Sequence, residues 1–189
     1  MKKFILSLGE KKIEILIVLV FILIGISLRF FPHPPNFSPI TAIALFGGVY
    51  FSRKIALIIP IIVLIISDIF IGYYEFSLMA SVYGSFLLVV GLGFWLKKHK
   101  KWYNILGCAV FGSLLFFIIT NFAVWAFTPW YAKTIAGFIQ CYLMASPFLK
   151  NTLLGDLVFV PIFFGAYEVA AVFVKNKLAK FVENLAKPS

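Results

Sequence analysis

Charge is scarce in this chain, and acidic charge scarcer still. Of 189 residues 13% are charged, and the seven Asp and Glu face seventeen Lys and Arg. A soluble domain is about a quarter charged and about half apolar. Here 62% of residues are hydrophobic, and they come in blocks with the charges between them. That excludes an ordinary water-exposed surface and leaves a bilayer as the solvent for the apolar blocks. Cysteine is almost missing: Cys108 and Cys141 both lie in or beside apolar runs, which excludes a secreted disulfide framework. No Gly-rich phosphate loop, paired metal-ligand motif or nucleotide-binding signature is present, so no cofactor, no metal and no catalytic set is expected. In–out alternation is also lacking in runs such as Ile55–Ile66, which argues against a transmembrane barrel. Helices remain, because each satisfies its own backbone within one segment.

The expected fold is therefore all-α: a polytopic membrane protein, a six-helix transmembrane bundle forming one domain over residues 1–189. The spans read as about 13–31, 39–52, 55–72, 78–96, 105–127 and 153–174. Lys2-Lys3 before an apolar run resembles a signal peptide, but no small-residue cleavage site follows, so that run is read as a retained span. Pro32-His33-Pro34-Pro35-Asn36-Phe37 cannot be helical, whereas Ser38-Pro39 is a helix start. The second segment, Pro39–Ser52, has only 14 residues and reaches ~21 Å, short of a ~30 Å hydrocarbon core.

Six spans put fourteen Lys and Arg on one side and leave Arg29, Lys133 and Lys150 on the other. By the positive-inside rule both termini are cytoplasmic, and the chain is multi-pass in the cell's inner (cytoplasmic) membrane. The same clustering at span ends argues that the net charge of +10 serves the lipid bilayer and not nucleic acid. Ile135–Phe148 is moderately apolar, 14 residues long, with Gln140 mid-run and Pro147 near its end. Crossing would carry the basic tail outside, so residues 130–150 are expected to form an outer re-entrant or interfacial segment. With the Pro32–Phe37 loop it would make a lid, Cys141 and Tyr142 facing the mouth.

Ionisable groups at membrane depth are functional candidates by default. Topology gathers Arg29, Asp68, Asn121, Trp125 and Asp156 near the outer ends of their spans. His33, Asn36, Tyr74, Cys141, Tyr142 and Asn151 fall in or beside the outer loops. Convergence of polar and aromatic groups over an apolar body suggests a pocket open to the outside. Arg29, His33 and Asn36 would contact or gate a ligand, Asp68, Asn121 and Asp156 orient it, and Tyr74, Trp125 and Tyr142 stack on it. The competing reading is that Arg29 pairs with Asp68 or Asp156 to hold helices together. Small-residue faces, such as Ala44 with Gly48 and Cys108 with Gly112, allow close helix approach, within the bundle or toward a partner.

The stretch Leu45-Phe46-Gly47-Gly48-Val49-Tyr50-Phe51, followed by Ser67-Asp68-Ile69-Phe70-Ile71-Gly72, resembles the second and third helices of the substrate-binding S components of energy-coupling factor (ECF) transporters. Pro32–Phe37 with Cys141-Tyr142, Pro147-Phe148, Asn151 and Gly155-Asp156 is similar to an uncharacterised group of small bacterial membrane proteins. The first resemblance implies capture of a small organic, vitamin-like micronutrient by the loops after the first, third and fifth helices. It also implies partner ECF transmembrane and ATPase subunits. The first span lacks the paired alanines many S components use for docking, and Met1-Lys2-Lys3 lacks the Met-His start of the nickel and cobalt members. Two other functions fit the residues: an intramembrane enzyme using Cys141, His33 and an aspartate, and a structural subunit without a ligand.

Overall fold

The computed structural model describes the backbone of residues 2–30, 32 and 34–186, and side chains over 16–30, 32 and 34–172. Among the described residues there are six helices and no strand: α1 (Lys2–Phe30), α2 (Ile40–Tyr50), α3 (Arg53–Ile71), α4 (Phe76–Leu96), α5 (Trp102–Phe127) and α6 (Ile135–Ala186). Four of them, α3 to α6, are long and apolar enough to cross a membrane. Large apolar side chains such as Ile58, Ile65 and Ile69 lie on the outside of α3, as an apolar surrounding requires.

Local chemistry sets the helix ends. Between α1 and α2 the Phe37 amide donates to Pro34 O at 3.0 Å, and Asn36 between them has φ 65°. Proline second and a left-handed Asn third is the signature of a type II turn. The Ser38 hydroxyl then accepts from the Ile40 amide at 3.4 Å as α2 begins. At the end of α3, Gly72 has φ 114° and its amide closes on Asp68 O, a conformation glycine adopts without a Cβ penalty.

The centre of the bundle is α2. Every residue from Ile40 to Val49 is buried, and α3, α4, α5 and α6 all pack on it. Its contact with α4 is backbone against backbone: a Cβ on Gly48 would stand 2.6 Å from Val90 O and 2.7 Å from Gly93 Cα. At Gly112, α5 faces Thr41 and Val89, where a Cβ would make ordinary contact at 3.4 Å. The small-residue faces thus serve packing inside the bundle. At eleven residues α2 is ~16 Å long, shorter than the expected 39–52 span. A central helix has no mismatch with lipid, since its ends meet protein and irregular backbone that lines a cavity.

The other departure is α6, one helix of 52 residues where a break between residues 148 and 153 was expected. Pro147 and Pro161 lie inside it. Helices in apolar surroundings carry such prolines because neighbours re-satisfy the freed backbone groups. The course of α6 does change relative to α5. Tyr142 bonds Ile118 O, whereas Asp156 meets Ser113. Fourteen residues along α6 therefore match five along α5, about 21 Å against 7.5 Å at ~1.5 Å per residue. Beyond Pro147 the helix still meets α5 at Ser113 and also lies on α2 and the Pro34–Phe37 turn.

Candidate functional site

Because α2 starts deep among longer helices, space is left above its first turn. A cavity of about 310 Å³ opens there, at the small end of the ~300–1,000 Å³ typical of ligand pockets. Arg29, Asn36, Ser38, Thr41, Tyr74 and Thr152 supply polar atoms to its wall, and Leu64, Val82, Phe86 and Phe116 form an apolar side. Ser38, Thr41 and Thr152 were not anticipated. The signals for them were the Ser38-Pro39 helix start and the four-residue spacing that puts Thr152 on the same face of α6 as Asp156.

Arg29 reaches from α1 to both Asp68, Nη2 to Oδ1 at 2.9 Å, and Ser67, Nη1 to Oγ at 2.6 Å. The Tyr83 hydroxyl donates to the other oxygen of Asp68 at 2.9 Å. Asp68 is 1% exposed and Arg29 20%, so the carboxylate is buried while the guanidinium borders the cavity. One pair ties α1, α3 and α4 together beside the space. Tyr74, in the loop after α3, has its phenol pushed up to about 12 by burial and then by the negative charge of Asp68. It stays a neutral donor at the mouth.

Asp156 lies behind the cavity wall. It is 1% exposed, and one oxygen accepts from Ser113 at 2.6 Å. Thr41, which lines the cavity, also interacts with this carboxyl group. Among the described residues, Oδ1 of Asp156 has no hydrogen-bond partner. Asn151, one turn earlier, donates to Pro35 O at 3.0 Å and pins the loop that roofs the space. Phe37 of that loop packs on Phe159 with ring centroids 5.3 Å apart.

Four expected site residues are elsewhere. Asn121 donates to Phe117 O and Cys141 to Asn121 O; Cys141 is 1% exposed. Tyr142 donates to Ile118 O at 2.7 Å, and Trp125 to Ala132 O, its ring edge-on to Phe138. These side chains seam the end of α5 to the start of α6 and do not line the cavity. The expected lid is corrected accordingly: the loop is closed by Asn151, Gly155 and Phe159, one to three turns past Pro147, and not by Cys141 and Tyr142. His33 lies outside the described residues, so a Cys141–His33–Asp arrangement has no geometry here. Among the described residues, no three His, Cys, Asp or Glu side chains come together to hold a metal ion.

Residues 10–180 match the family model described as "Family of unknown function (DUF6580)". The chain belongs to that family. No curated protein and no solved structure matches it. In this DUF6580 member, then, the cavity and its polar wall are the ground for a functional reading.

Proposed function

We propose that the chain crosses the cytoplasmic membrane six times with both termini inside, and that its cavity captures a small organic, vitamin-like molecule from the outer side for uptake. The observation that carries this reading is the space above the first turn of α2. It is roofed by the loops after α1 and α3, with polar atoms on one side and aromatic carbon on the other. A purely structural subunit has no use for an unfilled space over the buried first turn of its central helix, where dense packing is the rule. The chain has no nucleotide-binding signature, so active uptake rests on separate membrane and ATPase subunits, as with the S components it resembles.

Native mass spectrometry of the purified protein is the direct test. The expected result is a small molecule that leaves on denaturation and is absent from Val82→Trp, which fills the cavity. Wild-type protein that never carries such a molecule, and whose melting no outer-medium metabolite shifts, overturns the reading. Orientation is tested separately, in a Cys108→Ala, Cys141→Ala background. Cysteine at Glu75 reacts with an impermeant thiol reagent in intact cells, and cysteine at His99 does not. Labelling at His99 alone reverses the orientation.

A further inference from the structure

Far from the cavity, a second recess opens between α4 and α5. Its volume is about 390 Å³, and Leu92, Trp95, Tyr103, Gly107 and Phe111 are among its walls. A Cβ on Gly107 would meet nothing within 4 Å. This glycine is therefore not there for helix packing, and its missing side chain leaves a slot in an apolar face.

The loop that joins the two helices at the slot's mouth carries Lys97, Lys98, Lys100 and Lys101, all exposed. Lys100 is taken by Glu168 at 2.6 Å. Lys101 is held at the rim, its Nζ 5.6 Å over the ring of Tyr103. Asn104, another wall residue, donates to His99 O at 2.6 Å, and His99 stacks on Trp95. The loop is thereby fastened to both walls. At the same place α5 begins with no side-chain cap on its first amides, and uncapped helix amides attract anions.

An apolar slot with cations at one end and Trp and Tyr at the rim matches a molecule with an acyl chain and a phosphate. A free anion has no need of the slot, and a neutral lipid has no need of the lysines. We propose that this groove binds an anionic phospholipid, one acyl chain lying along Gly107 and its phosphate held by Lys97, Lys98, Lys101 and the first amides of α5. Charge complementarity selects this occupant, since among the described residues no acidic side chain lines the groove and juxtamembrane lysines favour anionic headgroups. The inference does not depend on what the α2 cavity binds.

The test uses the full chain in nanodiscs of equimolar phosphatidylglycerol and phosphatidylcholine, ejected into a native mass spectrometer. Retained phosphatidylglycerol should exceed phosphatidylcholine by about fivefold or more, the effect of even one lysine. The triple variant Lys97→Gln, Lys98→Gln, Lys101→Gln should bring that ratio near one, whereas Lys100→Gln leaves it in place. Gly107→Leu should remove the retained lipid of either kind. In wild-type protein, phosphatidylglycerol brominated on its acyl chain should quench tryptophan fluorescence more than the brominated phosphatidylcholine, because Trp95 lines the slot. That measurement decides the matter if a variant fails to fold. Equal retention and equal quenching of the two lipids overturn the proposal, as does a preference that survives the triple variant. Displacement of the lipid by millimolar inorganic phosphate would make this a soluble-anion site instead, and would overturn it too.

Discussion

Arg29 with Asp68 at one end of the bundle, and Lys100 with Glu168 at the other, are joined by similar distances, 2.9 and 2.6 Å, in opposite surroundings. Asp68 is 1% exposed beside the cavity, whereas Lys100 and Glu168 are 39% and 50% exposed where α2 ends. The two ends of α2 differ in the same way. Its first turn faces open space. Its last turn is packed, with Tyr50 against Phe46, Phe164 and Tyr167 and its hydroxyl donating to Glu168. A central helix clasped at one end and unfilled at the other marks the unfilled end as the place where a ligand could act without dismantling the core.

The largest loss is expected at Arg29. Arg29→Met leaves Asp68 charged and buried with only Tyr83, and stranding one member of a buried pair costs about 3–5 kcal/mol. A loss of that size should appear as a large drop in melting temperature in detergent. Adding Asp68→Leu should recover most of it, because the stranded charge is then gone. If Arg29→Met melts like wild type, the pair is not structural and its place at the cavity is its main role.

How much of this was legible beforehand depends on what a sequence encodes. Hydropathy and charge report depth along the membrane normal. They therefore placed Arg29, Asn36, Asp68, Tyr74, Asn121, Trp125, Cys141 and Tyr142 at one level. They carry no information about azimuth around the bundle, and that is what separates the first four, gathered at or beside the cavity, from the last four, on the α5–α6 seam. The shortness of α2 was visible from the Pro-rich loop before it and Arg53-Lys54 after it. Its central position was not, because burial among other helices and burial in lipid select the same apolar residues. The continuity of α6 was hidden by Gln140 and Pro147 within the short apolar run and by Lys150 just after it. Asn151 is polar because it bonds Pro35 O, not because the helix stops.

A smaller loss is expected at the middle of α2. In Gly48→Ala the new methyl meets the backbone of Val90 and Gly93, which cannot rotate away as a side chain would. Overpacking of this kind costs about 1–3 kcal/mol. The melting temperature should fall, whereas in Gly107→Ala, with open space around it, the gain in helix propensity of up to ~1 kcal/mol should hold or raise it. A rise in both variants would mean that helix propensity, and not the α2–α4 contact, sets the effect at Gly48.

The smallest effect is expected at the exposed pair. Glu168→Gln removes the charge from a carboxylate that accepts from both Lys100 and Tyr50, but the amide keeps an oxygen for the tyrosine. Exposed ion pairs contribute about 0–1 kcal/mol, so the melting temperature should move by little more than the error. What remains should also depend on salt: the Debye length shrinks from about 10 Å at 0.1 M to about 3 Å at 1 M, and the difference from wild type should vanish over that range. The Arg29→Met loss should persist in 1 M salt, because Asp68 is screened by protein and not by ions. Equal salt sensitivity at both ends would mean that solvent reaches Asp68. The carboxylate would then belong to an open, hydrated cavity, and the contrast between the two ends of α2 would be lost.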